Sequence, residues 1–442
     1  MQIKVLKFGG TSLSSAEQFK KVKRIVEAEE ERKYVVASAP GARFKNDDKV
    51  TDILYRCYDL LSENRDLNDE FSKIEKRFLE IEKDLQLKAN MSEELYKIRN
   101  MFSKNIKKDY LASRGEYLNS ILLAKYLGYD FIDASEVIFF DKYHKFDSEK
   151  TNTVLSDVLK KHKNAVIPGF YGIEVNGDIK TFSRGGSDIT GSIVARAANA
   201  DIYENWTDVS GFLMADPRCV ERPKIINELT YNELRELSYR GATVLHEDAV
   251  FPVKTARIPI NIRNTNKPDD RGTIITPFSS INSRRKAVIT GIAGKKGYYL
   301  LYIKKSSMNS EKGLKESIFS CLRENEVYFE HISSSTDAIT VIAKKEDFEG
   351  KKAKILNDIY CNFSPEIIII EENIALIAVV SESGCKGEEI LYKVLKSILE
   401  ISLKTNIIDK GSNDSSIIIG IKEVDYEKAI NVIYREFIKE KK

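Results

Sequence analysis

Seventy Lys and Arg residues stand against 67 Asp and Glu in a chain of 442, a formal net charge of +3. So close a balance gives no electrostatic ground for nucleic acid or a membrane surface as the main partner, and the longest apolar run, Ile374–Val380, is far too short to cross a bilayer. Hydrophobic residues at 42% and charged ones at 31% fit an ordinary globular protein of two or three domains.

Residues 1–60 read β-α-β-α. Ile3–Leu6 is an apolar strand, Ser14–Glu31 a helix opened by a Ser14/Glu17 capping box, and Tyr34–Ala37 a second strand. The chain enters a strand at once, so no signal peptide is expected. Between the first strand and helix lies Lys7-Phe8-Gly9-Gly10-Thr11-Ser12. A Gly-Gly pair at a strand end lets backbone N–H groups approach an anion, and the next helix N-terminus adds partial positive charge. Ser38-Ala39-Pro40-Gly41 forms a loop at the end of the second strand.

From Cys57 to Leu127 the chain is helical and charged, with helices around Ser72–Leu87, Ser92–Leu111 and Gly115–Leu127. Its Lys/Glu runs read as solvated helix faces. Strand–helix alternation resumes over 129–290, with strands at Ala165–Ile167, Ile202–Trp206 and Ile260–Arg263 and helices at Ile189–Ala198 and Tyr231–Tyr239, the latter capped by Asn227 or Thr230. A second glycine doublet, Ser183-Arg184-Gly185-Gly186-Ser187-Asp188, follows Gly177–Phe182. The alternation predicts a mostly parallel sheet with ligands at the strand C-termini. Two glycine loops, one carrying Lys7 and one Arg184, read as two halves of a phosphoryl-transfer site in a chain that lacks the Gly-x4-Gly-Lys-Ser/Thr pattern. The Lys7 ammonium can reach transferring phosphoryl oxygens as a point charge. Arg184 offers a planar fork suited to a carboxylate, and Glu116 the reverse charge suited to an ammonium. Asp188 fits a first-turn carboxylate of the following helix.

Phe278–Arg285 reads as a linker. After it, Tyr298–Ile303, Gly313–Asn325, Val327–Ile332, Ala338–Ala343 and Ala353–Tyr360 give β-α-β-β-α. Ala375–Val380, Glu388–Glu400, Ser402–Ile408, Ser415–Ile421 and Tyr426–Glu440 give the same order again. Two ferredoxin-like βαββαβ modules follow, with strand sharing open. Cys57, Cys219, Cys321, Cys361 and Cys385 are odd in number and form no C-x-x-C. His144, His162, His246 and His331 are dispersed, so neither disulfides nor a metal site is expected, and reduced thiols in a cytoplasmic protein account for the cysteines.

The motifs Lys7–Ser12, Ser38–Gly41, Lys49–Asp52, Ala112–Glu116, Phe182–Asp188, Thr207–Gly211, Ala215–Arg218, Gly241–His246 and Pro252–Lys254 occur in one order along the chain. In this the first two-thirds resembles the amino-acid kinase family, and within it the aspartate kinases; the last third resembles the paired ACT domains that regulate them. The resemblance implies a three-layer αβα sandwich at 1–285 with ACT-like modules at 286–372 and 373–442. It implies phosphorylation of L-aspartate by MgATP to 4-phospho-L-aspartate, the first step toward lysine, threonine and methionine, without a tightly bound cofactor.

By the same resemblance Lys7 stabilises transition-state charge, Asp188 organises the site beside it, Arg184 takes the substrate's α-carboxylate and Glu116 its α-amino group. Ser38 and Thr51 hold the acidic side chain. Gly9, Gly10, Gly185, Gly186, Thr207, Asp208, Asp216, Arg218 and Lys254 line the nucleotide. Two positions depart from the family pattern: Leu213 stands where many relatives have Tyr, and Glu247 follows His246 where many have Pro. Met308, Glu330, Ser334, Ser335 and Asp337 mark an effector site, with L-lysine as feedback inhibitor and a homodimer or dimer of dimers formed through the ACT-like modules. The alternatives are a kinase for another amino acid, such as glutamate, and a non-catalytic amino-acid sensor. The presence of Lys7, Arg184, Asp188 and Glu116 argues against the sensor. At this length no fused dehydrogenase is expected.

Overall fold

The computed structural model describes residues 2–103, 105–183, 185–242, 245, 249–277, 289–306, 308, 313–381, 387–410 and 416–438. The chain divides into two compact units. One comprises Met1–Phe212, Ile225–Ser238 and Thr243–Asn282; the other comprises Leu213–Lys224, Tyr239–Ala242 and Ser283–Lys442. The cut is not single: two short segments inside 1–285 group with the second unit. Their backbone explains it, since Met214 O accepts from Ile292 N–H at 2.7 Å and the Tyr434 hydroxyl accepts from Lys224 N–H at 2.9 Å. The linker at 278–285, Arg184 and His246 lie outside the described residues.

The first unit is built on an eight-stranded sheet. In chain order its strands are β1 (Lys4–Phe8), β2 (Arg32–Ala37), β3 (Asp130–Phe131), β4 (Ala165–Pro168), β7 (Ile202–Thr207), β8 (Glu228–Thr230), β9 (Ile260–Asn264) and β10 (Thr273–Thr276). A separate antiparallel hairpin joins β5 (Tyr171–Ile173) to β6 (Ile179–Thr181), so the strand ahead of the second glycine doublet is not part of the main sheet. Spatial order is β3-β4-β2-β1-β7-β9-β10-β8, parallel from β3 to β9. The chain runs outward from β1 through β2 to β4, then returns to lay β7 on the other side of β1. That reversal opens a crevice at the C-terminal ends of β1 and β7, where open α/β sheets bind ligands.

The core strands are apolar because both faces of the sheet are covered. Val5, Leu6, Phe8, Val35, Val36, Val166 and Ile167 have no exposed surface. Phe8 stacks on Trp206 at 6.0 Å. Buried Glu204 on β7 is paired by the buried Arg32 guanidinium of β2 (2.9 and 3.1 Å) and by the Trp206 indole N–H (2.9 Å), which satisfies it in a dry environment.

Helices cover the faces: α1 (Ala16–Glu27), α2 (Val50–Ser62), α3 (Asn68–Asp84), α4 (Met91–Asn100), α5 (Lys108–Leu127), α6 (Ala134–Val137), α7 (Ser148–Leu159), α8 (Gly186–Ala197), α9 (Tyr231–Tyr239) and α10 (Phe251–Thr255). Two boundaries correct the sequence reading. A 3-10 turn at Gly10–Leu13 precedes α1, so Ser14 does not cap it; its hydroxyl donates to Thr11 O at 3.1 Å. The break expected between Leu111 and Gly115 falls instead at 101–107, and Gly115 lies inside the 20-residue α5. Thr230 does cap α9: its Oγ1 accepts from Glu233 N–H at 3.3 Å while Glu233 accepts from Thr230 N–H at 2.6 Å.

The second unit is one six-stranded antiparallel sheet ordered β12-β13-β11-β14-β16-β15, from β11 (Ile289–Lys304), β12 (Phe329–Ser334), β13 (Ala338–Lys344), β14 (Ile367–Ser381), β15 (Thr405–Lys410) and β16 (Ser416–Lys422). Its helices are α11 (Leu314–Glu324), α12 (Lys345–Phe348), α13 (Lys352–Phe363), α14 (Gly387–Glu400) and α15 (Tyr426–Ile438). Strands are shared between the two βαββαβ modules. The second half of β11 pairs with β13 and with the first half of β14; its first half pairs with the second half of β14, whose other side carries β16. The boundary expected at 372/373 therefore lies within a strand. Register shifts at Lys295/Tyr298 and Tyr298/Leu300 mark the passage between modules.

Candidate active site

Lys7 is the fourth residue of β1, and its Cα partner on β7 is Asn205. Above both, Asp188 lies in the first turn of α8. The Lys7 ammonium sits 2.7 Å from Asp188 Oδ1, and the Asn205 amide donates to the same oxygen at 2.7 Å. The Tyr203 hydroxyl donates to Asp188 O at 3.2 Å. Lys7 and Asn205 are buried. An ammonium with three donors can hold Asp188 and still present two N–H groups to a ligand. Asn205 escapes a sequence reading directed at charged residues, because Ile202-Tyr203-Glu204-Asn205-Trp206-Thr207 mixes apolar and polar side chains and nothing local sets Asn205 apart.

The first glycine loop is packed backbone to backbone against the loop after β2. Gly41 N–H donates to Gly10 O at 2.8 Å, and a Cβ on Gly10 would lie 2.8 Å from Ala39 O and 3.1 Å from Gly41 N. Only glycine fits there. Gly9 N–H donates to Trp206 O at 3.0 Å, which joins the loop to β7. Ser38 N–H donates to Phe8 O at 3.2 Å, and Val50 N–H to Pro40 O at 3.1 Å, which brings Thr51 in the first turn of α2 onto the same loop.

Glu116 and Asn119 reach this loop from α5. The Ala39 N–H faces the Glu116 carboxyl and favours its ionised form, and Asn119 Nδ2 donates to Ser38 O at 2.6 Å. Glu116 is buried, and its Oε2 has no hydrogen-bond partner. Burial pushes its carboxyl up to about 8, against the pull of the Ala39 and Glu116 backbone N–H groups and Arg114. A buried carboxylate with a vacant oxygen suits a cationic ligand group. The close approach of α5 explains Gly115: a Cβ there would lie 2.8 Å from Ala39 Cβ.

Gly185 and Gly186 open α8, with Gly185 in left-handed backbone (φ +58°). A pocket of about 490 Å³ opens there, lined by Ser183 and Ile189 on either side of the doublet and by Tyr231, Arg235, Phe251 and Lys254 among others. Thr207 ends β7, and its hydroxyl donates to exposed Asp208 at 3.3 Å. The first unit thus gathers Lys7, Gly9, Gly10, Ser38, Thr51, Glu116, Gly185, Gly186, Asp188, Thr207 and Asp208 around the ends of β1 and β7, with Lys254 in the pocket beside α8. Asp216 and Arg218 belong to the second unit, where the guanidinium forks onto the carboxylate (2.6 and 3.0 Å) and holds it below the usual carboxylate range.

Of the expected effector residues, Met308 is buried in the hydrophobic core of its module. Glu330 lies on edge strand β12 and accepts from the Tyr239 hydroxyl at 2.8 Å, with Lys344 at 3.9 Å. Ser334 and Ser335 are exposed at the turn into β13, where Ser335 N–H donates to Ala338 O at 2.8 Å; Asp337 O accepts from Lys305 N–H at 2.8 Å. Among the described residues no three His, Cys, Asp or Glu gather in a metal-binding cluster, and no helix is long and apolar enough to cross a membrane.

Residues 2–264 match the amino acid kinase family. The chain is 34% identical to aspartokinase 3 of Bacillus subtilis over 98% of both proteins. It is 46% identical to a solved aspartate kinase of Clostridium acetobutylicum, described as an allosteric enzyme, covering 99% of this chain and 100% of that one with a TM-score of 0.91. E. coli aspartokinase III in complex with aspartate and ADP has the same fold, with a TM-score of 0.75, at 21% identity over 99% of this chain and 100% of that one. The lysine and aspartate complex of that enzyme gives a TM-score of 0.77 at the same identity and coverage.

Proposed function

The chain belongs to the amino acid kinase family, and within it to the aspartate kinases, and we propose that it transfers the γ-phosphoryl group of MgATP to the side-chain carboxylate of L-aspartate, giving 4-phospho-L-aspartate and ADP. The observation that carries this reading is the Lys7–Asp188–Asn205 cluster at the sheet's reversal point, between two glycine loops. Phosphoryl transfer asks for alignment and charge neutralisation more than for covalent chemistry. Lys7 neutralises the equatorial oxygens of the transferring group, and Asp188 and Asn205 hold it on line. The attacking carboxylate is already ionised at neutral pH, so no general base is needed.

Glu116 takes the α-ammonium of aspartate, Arg184 its α-carboxylate, and Ser38 and Thr51 its side-chain carboxylate. Magnesium enters as the ATP complex, bound mainly by phosphates and water. Thr207, Asp208 and Lys254 serve the nucleotide in the first unit, and Asp216 and Arg218 are assigned to it as well. The product is an acyl phosphate, so trapping with hydroxylamine reports it directly. Aspartate with MgATP should give the hydroxamate, and glutamate should give little. Hydroxamate from glutamate at a comparable rate would favour the other-amino-acid kinase, and none from either would favour a sensor.

The second unit is read as a pair of ACT modules that bind L-lysine and pair between copies. Support comes from Glu330, a carboxylate suited to a lysine ammonium, on a strand at the edge of the sheet, where Phe329 is half exposed. Activity over a lysine titration, beside the same titration with threonine, tests the effector; light scattering tests the assembly. The product places the enzyme at the head of lysine, threonine and methionine synthesis.

A further inference from the structure

We propose that Asn119 is a positioning residue for the aspartate subsite: with Glu116 it clamps the Ser38–Ala39 peptide at both ends and so fixes the direction of the Ser38 hydroxyl. The proposal rests on the reading that Ser38 and Glu116 hold the substrate. Ser38 O and Ala39 N–H belong to one peptide plane. Asn119 donates to its oxygen at 2.6 Å, and the N–H of that plane faces the Glu116 carboxyl and favours the charged form of that group. The two side chains lie three residues apart on α5, so they share a face. A carbonyl can only accept, which fixes the Asn119 amide with its nitrogen toward Ser38. The other bonds of the loop, Ser38 N–H to Phe8 O and Gly41 N–H to Gly10 O, tie it to β1 and the first glycine loop. The peptide cannot rotate without giving up the Asn119 bond and turning its N–H away from the Glu116 carboxyl.

Asn119 has no exposed surface, and its Oδ1 has no partner. An amide is a costly choice for a site that only needs filling, because the orphaned oxygen loses its water without replacement. The donor to Ser38 is what the amide supplies. Removing it frees the peptide to turn, which misdirects the Ser38 hydroxyl and takes the Ala39 N–H away from Glu116. The other ionisable groups acting on Glu116 are Arg114 on its own helix and Tyr55 on α2; neither bonds to the peptide.

The test is the hydroxylamine assay on the full chain carrying Asn119→Leu, close in size but without a donor. KM for aspartate should rise about tenfold or more while KM for ATP stays within about twofold. The rise of kcat/KM for aspartate with pH should move to higher pH, because Glu116 has lost an N–H donor. Combined with Glu116→Gln, Asn119→Leu should add little, since one end of the clamp is already released. Should the leucine variant not fold, Asn119→Asp, isosteric and unable to donate when ionised, carries the same expectations. Equal losses for aspartate and ATP, no loss, or effects of Asn119→Leu and Glu116→Gln that simply add would overturn the proposal. An unchanged aspartate KM in Glu116→Gln alone would instead remove the reading on which it rests.

Discussion

Aspartate binding should expel a proton from Glu116, and Glu116→Gln should abolish that release. Burial holds the empty-site carboxyl near about 8. At pH 7 it is then roughly one-tenth ionised. An ammonium placed beside it favours the charged form, so the bound state carries a carboxylate. Close to one proton, about 0.9, should leave per aspartate bound at pH 7, and about 0.2 at pH 8.5. Aspartate affinity should rise about eightfold over the same interval, as the ionised fraction grows from roughly 0.09 to 0.76. Calorimetry in buffers of different ionisation enthalpy, with a nonhydrolysable MgATP analogue present, counts the protons. The stability linkage has a definite sign. A folded pKa raised above the ordinary 4.5 means the unfolded chain binds fewer protons between that value and about 8, so this group's contribution falls as pH rises through the window. Without substrate, Glu116→Gln should therefore gain in Tm over the parent progressively from pH 5 to pH 8. A proton count near zero in the parent, or a pH dependence of aspartate affinity that survives in Glu116→Gln, would refute the reasoning.

Lys7→Ala should lower kcat by about 10²-fold or more, the scale of one preorganised charge donor, in a chain that still folds; a kcat within about threefold of the parent in the hydroxylamine assay would remove its role. Gly10→Ala forces a methyl against the Ala39 oxygen at 2.8 Å and the Gly41 nitrogen at 3.1 Å, both backbone atoms. It should cost about 1–3 kcal/mol in urea unfolding and raise KM for both substrates. Tyr239→Phe removes a competitor for Glu330 and should lower the half-inhibitory lysine concentration about two- to tenfold, the worth of one net hydrogen bond, whereas Glu330→Gln should raise it. A lysine titration that shows no change in either variant would exclude Glu330 from the effector site.

The sequence makes legible what depends on neighbours in the chain. Short apolar runs mark β2 and β4, and the glycine doublets mark the two loops, because strand burial and backbone approach leave local signatures. What depends on distant partners stays hidden. Gly115 reads as a helix boundary, since glycine is a poor helix residue; its reason is the Ala39 methyl, brought up by a loop far away in sequence. Ser14 and Glu17 have the spacing of a capping box, but the 3-10 turn shifts the helix start by two residues. The segment Ile367–Asn373 is given no element from sequence, where Glu371, Glu372 and Asn373 interrupt its apolar run. It is the first half of β14, where Ile367–Glu371 pairs with β11 and the charges find Lys352 and Lys422. Asn119 and Asn205 carry no motif, and only the groups they face reveal them.

The two sides of the site differ in how far their polar groups are satisfied. On the phosphate side Lys7 is already paired: Asp188 neutralises it, and Asn205 fixes Asp188 in turn. A phosphoryl group arriving there need not evict Asp188, because the ammonium has donors to spare. On the aspartate side Glu116 Oε2 and Asn119 Oδ1 are buried without partners. A buried acceptor gains most from a ligand that brings a donor to it. Glu116 gains most, because only a cation turns its carboxyl into a stable carboxylate. A dicarboxylate of the same length without the α-amino group leaves Glu116 protonated. Discrimination of an amino acid from such an analogue then follows from the burial of Glu116, whose charged form only a cation stabilises.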